Sequence, residues 1–406
     1  MRVLLLTQVL PYPPDSGPKV KTWNVLKCLA RMHQVTLVSF VRGDQSGAVA
    51  QLRSVCQDVH TVPMKRGWAQ DATALGRSLM GAGPWVILRD DRAGMRRLVD
   101  RVAGSQPFDL VHADQLNMAQ YALLVQGARR LLDAHNALWL LYSRLSSTTR
   151  NPATRWLFGR DARLLQRYEG EMCWRFDSVL TVSEADRDAL RLAAEGVGQG
   201  ISEVSPQVIP IAVDAEELRF RRRKPSADHI LHIGTMFWPP NVDGIRWFVN
   251  AVLPLVRRER PEVVFDVLGA RPPAELLAWN TNGHRVNVAG YVDDPAPFLA
   301  DAGVFVVPLL AGGGMRVKIL TAMAQGLPVV STTVGCEGID VVHGQHLLVA
   351  DTPQQFAAAT LRILTEPELA GELGLNGRKL VEDRYSLPQL EVRLDEAYQA
   401  AVRGSS

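Results

Sequence analysis

Residues 308–331 read PLLAGGGMRVKILTAMAQGLPVVS. An apolar run at 304–307 leads into Pro308, and three glycines, Gly312, Gly313 and Gly314, follow. Arg316 and Lys318 then open a helical pattern that stops at Gly326-Leu327-Pro328, and a second apolar run, Val329-Val330-Ser331, comes at once. Strand, glycine loop, helix, strand is the repeating unit of a parallel sheet covered by helices. The same layout turns backbone N–H groups and the positive end of a helix dipole toward the space beyond the strand, which suits a phosphate. Two cations at the helix start supply charge that a diphosphate needs beyond the dipole. The other reading is an ordinary connection whose glycines serve only the turn.

Working outward, short β-branched runs alternate with helical patterns along most of the chain. Strands are predicted at 3–7, 35–40, 59–62, 110–112, 131–133, 179–182 and 207–211, then at 230–233, 263–268, 286–289, 304–307, 329–331 and 347–349. Helical patterns at 19–32, 241–258 and 353–365 are among those that separate them. So many strands exceed one comfortable sheet, and 406 residues suit about two domains. The charged stretch DAEELRFRRRKPS at 214–226 marks the division, its Arg221–Lys224 run being read as a solvated linker face. The fold class expected is α/β: two doubly wound, Rossmann-like domains facing a central cleft, with ligands at the carboxyl ends of the strands. The expected boundaries are 1–214, a linker at 215–228, 229–385, and a C-terminal helix and tail at 386–406 that returns to the first domain.

Composition is that of an ordinary globular protein, 47% hydrophobic and 21% charged. A net charge of +3 is too small to make nucleic acid the main partner. No apolar run approaches the ~20 residues that span a bilayer. The opening MRVLLL is too short for a signal peptide, is followed by Pro11, Pro13 and Pro14, and reads as a buried first strand, so a cytoplasmic protein is expected. Cys28, Cys56, Cys173 and Cys336 lack metal-ligand spacing and read as reduced, mostly buried thiols. Metal-hydrolase, serine-elbow and Walker motifs are missing, and no G-x-G-x-x-G follows the first strand, which argues against a nicotinamide dehydrogenase.

Other strand-end segments carry polar or glycine residues. After the first strand, PYPPDSGPK brings Asp15, Ser16 and Gly17 to the start of a helix. The strand ending in His112-Ala113-Asp114 offers a carboxylate that can take a proton or a substrate hydroxyl, His112 being read as a core histidine. Asp133-Ala134-His135-Asn136 is a similar end, and Ser183 reads as a helix cap. In the second half, Gly234-Thr235, Leu268-Gly269 and Gly290-Tyr291-Val292 end strands; Tyr291 either meets a flat base or packs. Between 65 and 102, Lys65, Arg66, Arg77, Arg89, Arg92, Arg96, Arg97 and Arg101 are interleaved with Trp68, Leu79, Met80, Trp85 and Ile87. That is either a solvated face or a basic amphipathic surface for anionic lipid.

Taken together, IGTMFWPPNVDGIRWF, VLGARPP, VAGYVDDPAPFLADAGVFVVPL, GGGMRVKILTAMAQGLPVVSTTVGCEGI and GQHLLVAD, with PYPPDSGPKVKTWNVLKCLA and FDSVLTVSEADRDAL upstream, resemble family-4-like glycosyltransferases of the two-Rossmann-domain (GT-B) type. The nearest branch is that of bacterial exopolysaccharide and cell-surface sugar transferases. The resemblance implies a nucleotide-diphospho-sugar donor bound mainly by the second domain and a hydroxyl acceptor (glycan, lipid-linked or small molecule) bound by the first. It implies retention of anomeric configuration and no cofactor or metal; the basic face at 65–102 is the notable candidate for contact with the inner membrane face. Arg316, Lys318 and Asp114 become the catalytic candidates. Gly17, Gly234, Thr235, Gly269, Tyr291, Val292, Gly313, Gly314, Met315, Ile319 and Thr321 become the donor contacts. Asp15, Ser16 and His135 become the acceptor contacts. Two departures stand out: the family's paired glutamates fall on Gly313 and Thr321, and its strand-end histidine falls at or near Asp114. A neutral hydroxyl at Thr321 grips ribose less tightly than a carboxylate, by about 0.5–2 kcal/mol. A catalytically impaired sugar-nucleotide-binding or scaffold subunit is therefore the alternative function, and a GT-B epimerase a third.

Overall fold

The computed structural model describes residues 1–149, 151–198, 205–221, 228–281 and 285–403. Arg222, Arg223 and Lys224 of the charged run lie outside the described residues. The chain divides into two compact units, Met1–Ile211 with Leu387–Ser406, and Ala212–Ser386. Each is built on a wholly parallel sheet.

In the first unit the strands are β1 (Arg2–Thr7), β2 (Gln34–Val41), β3 (Asp58–Pro63), β4 (Leu110–Asp114), β5 (Arg129–Asp133), β6 (Ser178–Thr181) and β7 (Gln207–Val208), in the order β3-β2-β1-β4-β5-β6-β7. In the second they are β8 (His229–Ile233), β9 (Val264–Leu268), β10 (Val286–Gly290), β11 (Ala302–Val307), β12 (Val329–Ser331) and β13 (Leu348–Val349), in the order β10-β9-β8-β11-β12-β13. Helices cover both faces, so the central strands are continuous apolar runs rather than alternating ones. All six residues of β11 are buried. Leu4, Leu6, Val38, Phe40, Val111 and Leu132 belong to the first core, and Ile230, Phe265, Val267, Val304 and Val306 pack with Phe248 and Phe356 in the second.

Every predicted strand is present, with ends moved by a few residues. The single helix expected at 241–258 is instead three pieces: Pro239–Trp247, a π-helical turn at Phe248–Val252, and Leu253–Glu259. Pro254 has no N–H to continue the ladder, and the turn widens just before it. The C-terminal helix, Leu387–Arg403, belongs to the first unit, where it packs beside the helix Gly17–Met32. Cys28 Sγ lies 3.9 Å from the Leu387 carbonyl.

The charged stretch expected as a solvated linker is tied down at its start. Arg378 donates to the carbonyls of Ala215 (2.8 Å), Leu218 (2.6 Å) and Ala324 (2.5 Å). Arg221 N donates to Gln325 O at 3.0 Å, and Gly326 leaves the space that the Phe220 ring fills. Residues 212–221 therefore fold as part of the second unit.

In both sheets the chain winds outward from a central pair, β1/β4 and β8/β11, and the crevice at such a reversal is where doubly wound folds bind ligands. There β4 and β5 end in Asp114 and Asp133, and β8 ends just after His232.

Candidate active site

In the second unit the site begins at the end of β8. His232 is fully buried, and its Nδ1 lies 2.9 Å from the Val306 carbonyl of β11. A carbonyl can only accept, so Nδ1 carries the proton and Nε2 is left as an acceptor. Burial, reinforced by the Lys318 charge, holds this imidazole well below its ordinary pKa, so it stays neutral. Lys318 Nζ sits 3.4 Å from that Nε2 and 3.0 Å from Asn241 Oδ1. Asn241 in turn donates to the Thr235 carbonyl at 2.8 Å, fixing its amide orientation. Burial, then the charge of Arg316, push the Lys318 ammonium down to about 7. No carboxylate ion-pairs with it among the described residues, so its charge is available to an anion.

Gly234 makes this possible: a Cβ there would lie 2.7 Å from Lys318 Nζ and 3.1 Å from His232 Nε2. Gly269 has a different task. A Cβ there would come within 1.8 Å of the Gly234 carbonyl, while Gly269 N donates to Gly290 O at 2.7 Å and Gly234 N to Leu268 O at 2.9 Å. Gly269 is thus required by the backbone packing that knits three strand ends together.

Arg316 occupies the N-cap position of the helix Val317–Ala324, just outside its first turn, without a side-chain capping bond. Its Nη1 donates to the carbonyls of Gly313 and Gly314, and a Cβ on Gly312 would sit 2.7 Å from its Nη2. The guanidinium therefore folds against the glycine loop and sets its shape. Met315 is buried, and Thr321 is half-buried one turn beyond Lys318. Tyr291 is 61% exposed at the end of β10, which removes the reading that it packs, and Val292 is half-buried. Ile319 has a fully buried side chain, and its amide donates to Arg316 O at 2.9 Å.

In the first unit Asp114 ends β4 and is 1% exposed. It accepts from Thr22 Oγ1 at 3.0 Å and meets His135 Nε2 at 2.9 Å. Asp114 is thus enclosed by polar partners, and His135 lies beside it with 11% of its side chain exposed. Beside it Asp133 bonds the Lys21 ammonium. Burial alone would raise the Asp133 carboxyl, but Lys21, helped by His112 and His135, holds it far below the usual carboxylate range. His112, fully buried, bonds Tyr398 of the C-terminal helix through Nδ1. At the N-terminus of the helix Gly17–Met32, Asp15 pairs with Lys19 at 3.0 Å, Ser16 is the N-cap residue without a side-chain capping bond, and Gly17 opens the helix.

One ligand atom each from His112, Asp114 and Asp133 lies within 4.8 Å of the others, a spacing a divalent ion could bridge. Lys21 already bonds one of these carboxylates, and a second full positive charge beside it would be repelled. Sequence reading missed Lys21, Thr22, His232 and Asn241. The available signals were a polar pair one turn into the first helix, a histidine inside an apolar strand, and an asparagine two residues into a helix that starts at Pro239.

Two families match the chain in sequence. The one described as "Glycosyl transferase 4-like domain" matches residues 16–200, and "Glycosyl transferases group 1" matches residues 227–366. The chain belongs to the family-4-like glycosyltransferases. A relative from Klebsiella pneumoniae, "Uncharacterized 44.6 kDa protein in cps region", is 21% identical over 95% of this transferase and 96% of the relative. Among solved structures, sucrose-phosphate synthase from Thermosynechococcus elongatus superposes with a TM-score of 0.71 at 17% identity, covering 98% of both chains. Anabaena HepE in complex with UDP-glucose gives a TM-score of 0.67 at 15% identity, covering 98% of this chain and 99% of that one. The transferase therefore has the GT-B architecture of two Rossmann-like units. Among its described residues no helix is long and apolar enough to cross a membrane.

Proposed function

We propose that this glycosyltransferase moves a sugar from a nucleotide-diphospho-sugar to a hydroxyl on an acceptor, with retention and without a metal, in the assembly of a surface polysaccharide. The observation that carries this is the Lys318 ammonium, held over Gly234 by Asn241 Oδ1 and the neutral His232 at the reversal of the second sheet. With Arg316 at the neighbouring helix start, it provides two cations where a departing nucleoside diphosphate would gather charge. His135, oriented by Asp114, is the first unit's candidate for contact with the acceptor hydroxyl. The UDP-glucose bound by the HepE neighbour supports a nucleotide-sugar donor, and the cps region of the Klebsiella relative supports the polysaccharide setting.

The test is turnover on a panel of nucleotide sugars, read as UDP, GDP or dTDP release with an acceptor pool from a surface-polysaccharide system. Arg316→Ala and Lys318→Ala are each expected to lower kcat by about 10²–10³-fold, and excess EDTA is expected to leave the rate unchanged. An EDTA-sensitive rate restored by Mg²⁺ overturns the metal-free reading. The second reading, a binding subunit without turnover, rests on Thr321. Calorimetric nucleotide binding with no release from any donor, and activity gained by Thr321→Glu, favours it.

A further inference from the structure

A second cluster of cations lies at the C-terminal edge of the first sheet, on the β2–β3 side of β1, whereas Asp114 and Asp133 lie on the β4–β5 side. Arg42 directly follows β2. Met64 N donates to the Val41 carbonyl at 2.8 Å, which brings the segment after β3 alongside, and Arg42 Nη2 lies 3.7 Å from Met64 Sδ. Two residues on, Arg66 Nη2 meets Asp90 Oδ1 at 2.7 Å. Asp90 is fully buried, its other oxygen held by Gln8 and by Asn117 at 2.8 Å, so Arg66 is aimed by a fixed post. Arg89 lies over the Trp85 ring at 5.1 Å, and its buried Nε has no hydrogen-bond partner among the described residues. Burial lowers the Arg42 guanidinium, the charges of Arg66 and Arg89 lower it further, and Asp90 alone opposes them. The three arginines are one electrostatic group, and a single carboxylate, Asp90, is paired into it among the described residues.

We propose that Arg42, Arg66 and Arg89 bind a phosphate or diphosphate carried by the acceptor. Three guanidiniums against one carboxylate leave an excess of two positive charges. A phosphomonoester carries about −1.5 to −2 at neutral pH, which matches that excess, whereas a carboxylate would cancel half of it. Planar guanidinium forks suit phosphate oxygens, and two of the three lack a carboxylate to compete. The inference rests on reading the first unit as the acceptor-binding one. The phosphate has two possible sources, a soluble phosphorylated sugar or a lipid carrier. Trp68, 85% exposed, and Met80, 82% exposed, lie on the same segment as Arg66 and would suit a lipid.

Calorimetry of the full chain with inorganic pyrophosphate tests the proposal. Wild type is expected to fill two sites, one of which Lys318→Ala removes and the other Arg42→Gln/Arg89→Gln. Each lost arginine should weaken its site by at least about tenfold. R42Q alone serves if the double variant is less stable in thermal denaturation. Wild-type affinity and stoichiometry in these arginine variants overturns the proposal, as does a wild type with only the Lys318 site. If the arginine variants lose a site and Lys318→Ala loses none, the donor reading fails while this one stands. Phosphatidylcholine vesicles with and without phosphatidic acid separate the sources. Phosphatidate-dependent retention that vanishes in the double variant assigns a lipid carrier. Pyrophosphate binding without retention assigns a soluble acceptor.

Discussion

At the scale of single residues the second unit turns on Lys318. Its folded pKa near 7 lies below the unfolded value for lysine, about 10.4, so the protonated form is disfavoured by the fold. A bound diphosphate favours that form. Donor affinity should therefore be flat below pH 7 and weaken as pH rises above it, which a titration of nucleotide binding from pH 6 to 9 would show. The same shift has an opposite consequence for stability. Between about pH 7 and 10.4 the unfolded chain binds a proton that the folded one does not, so this group's contribution to stability rises with pH. Lys318→Met should thus raise the melting temperature most below pH 7 and progressively less toward pH 10, while abolishing donor binding. A variant that melts earlier than wild type at pH 6 contradicts the assignment. The cations were legible in the sequence because Arg316 and Lys318 follow three glycines after an apolar run. Their partners were not, since His232 and Asn241 are 86 and 77 positions from Lys318 and reach it only through strand order. The burial of Ile319 was not legible either, because adjacency in sequence to a glycine loop does not set which helix face a side chain occupies.

At the scale of elements, strand positions were read correctly because a buried parallel strand is a short β-branched run with turn residues at its end. Helix interiors were read less well: Pro254 breaks a pattern whose apolar spacing looks continuous. The last helix was expected to return to the first unit, but the reason was invisible until Tyr398 was seen bonding His112, 286 residues earlier. Tyr398 is fully buried, and its ring also stacks with that of His33, centroids 5.6 Å apart. Tyr398→Phe keeps the ring and removes the oxygen, leaving the His112 nitrogen buried without a partner. Urea denaturation should show a loss of about 1–3 kcal/mol. A loss within error would mean that ring packing alone holds the helix in place.

At the scale of the whole molecule, two sheets of the same winding each concentrate their polar chemistry at the point where the winding reverses. In one, a lysine faces a neutral histidine and an amide; in the other, a lysine faces a carboxylate that is itself backed by a histidine and a tyrosine. The first lysine has no carboxylate partner among the described residues and the second is neutralised internally, the contrast that places the proposed diphosphate with Lys318 rather than Lys21. Removing residues 387–406 should damage the first unit and spare the second. Hydrogen exchange on the truncated chain is expected to show fast exchange in β1, β4 and β5 and native protection in β8, β9 and β11. The sequence order of these parts has a further consequence during synthesis. The second unit has all its residues by Ser386, whereas the first, begun earlier, lacks the partner of His112 until Tyr398 has left the ribosome. The two units are therefore completed within a dozen residues of each other, and the first, though begun earlier, loses the head start that vectorial synthesis usually gives.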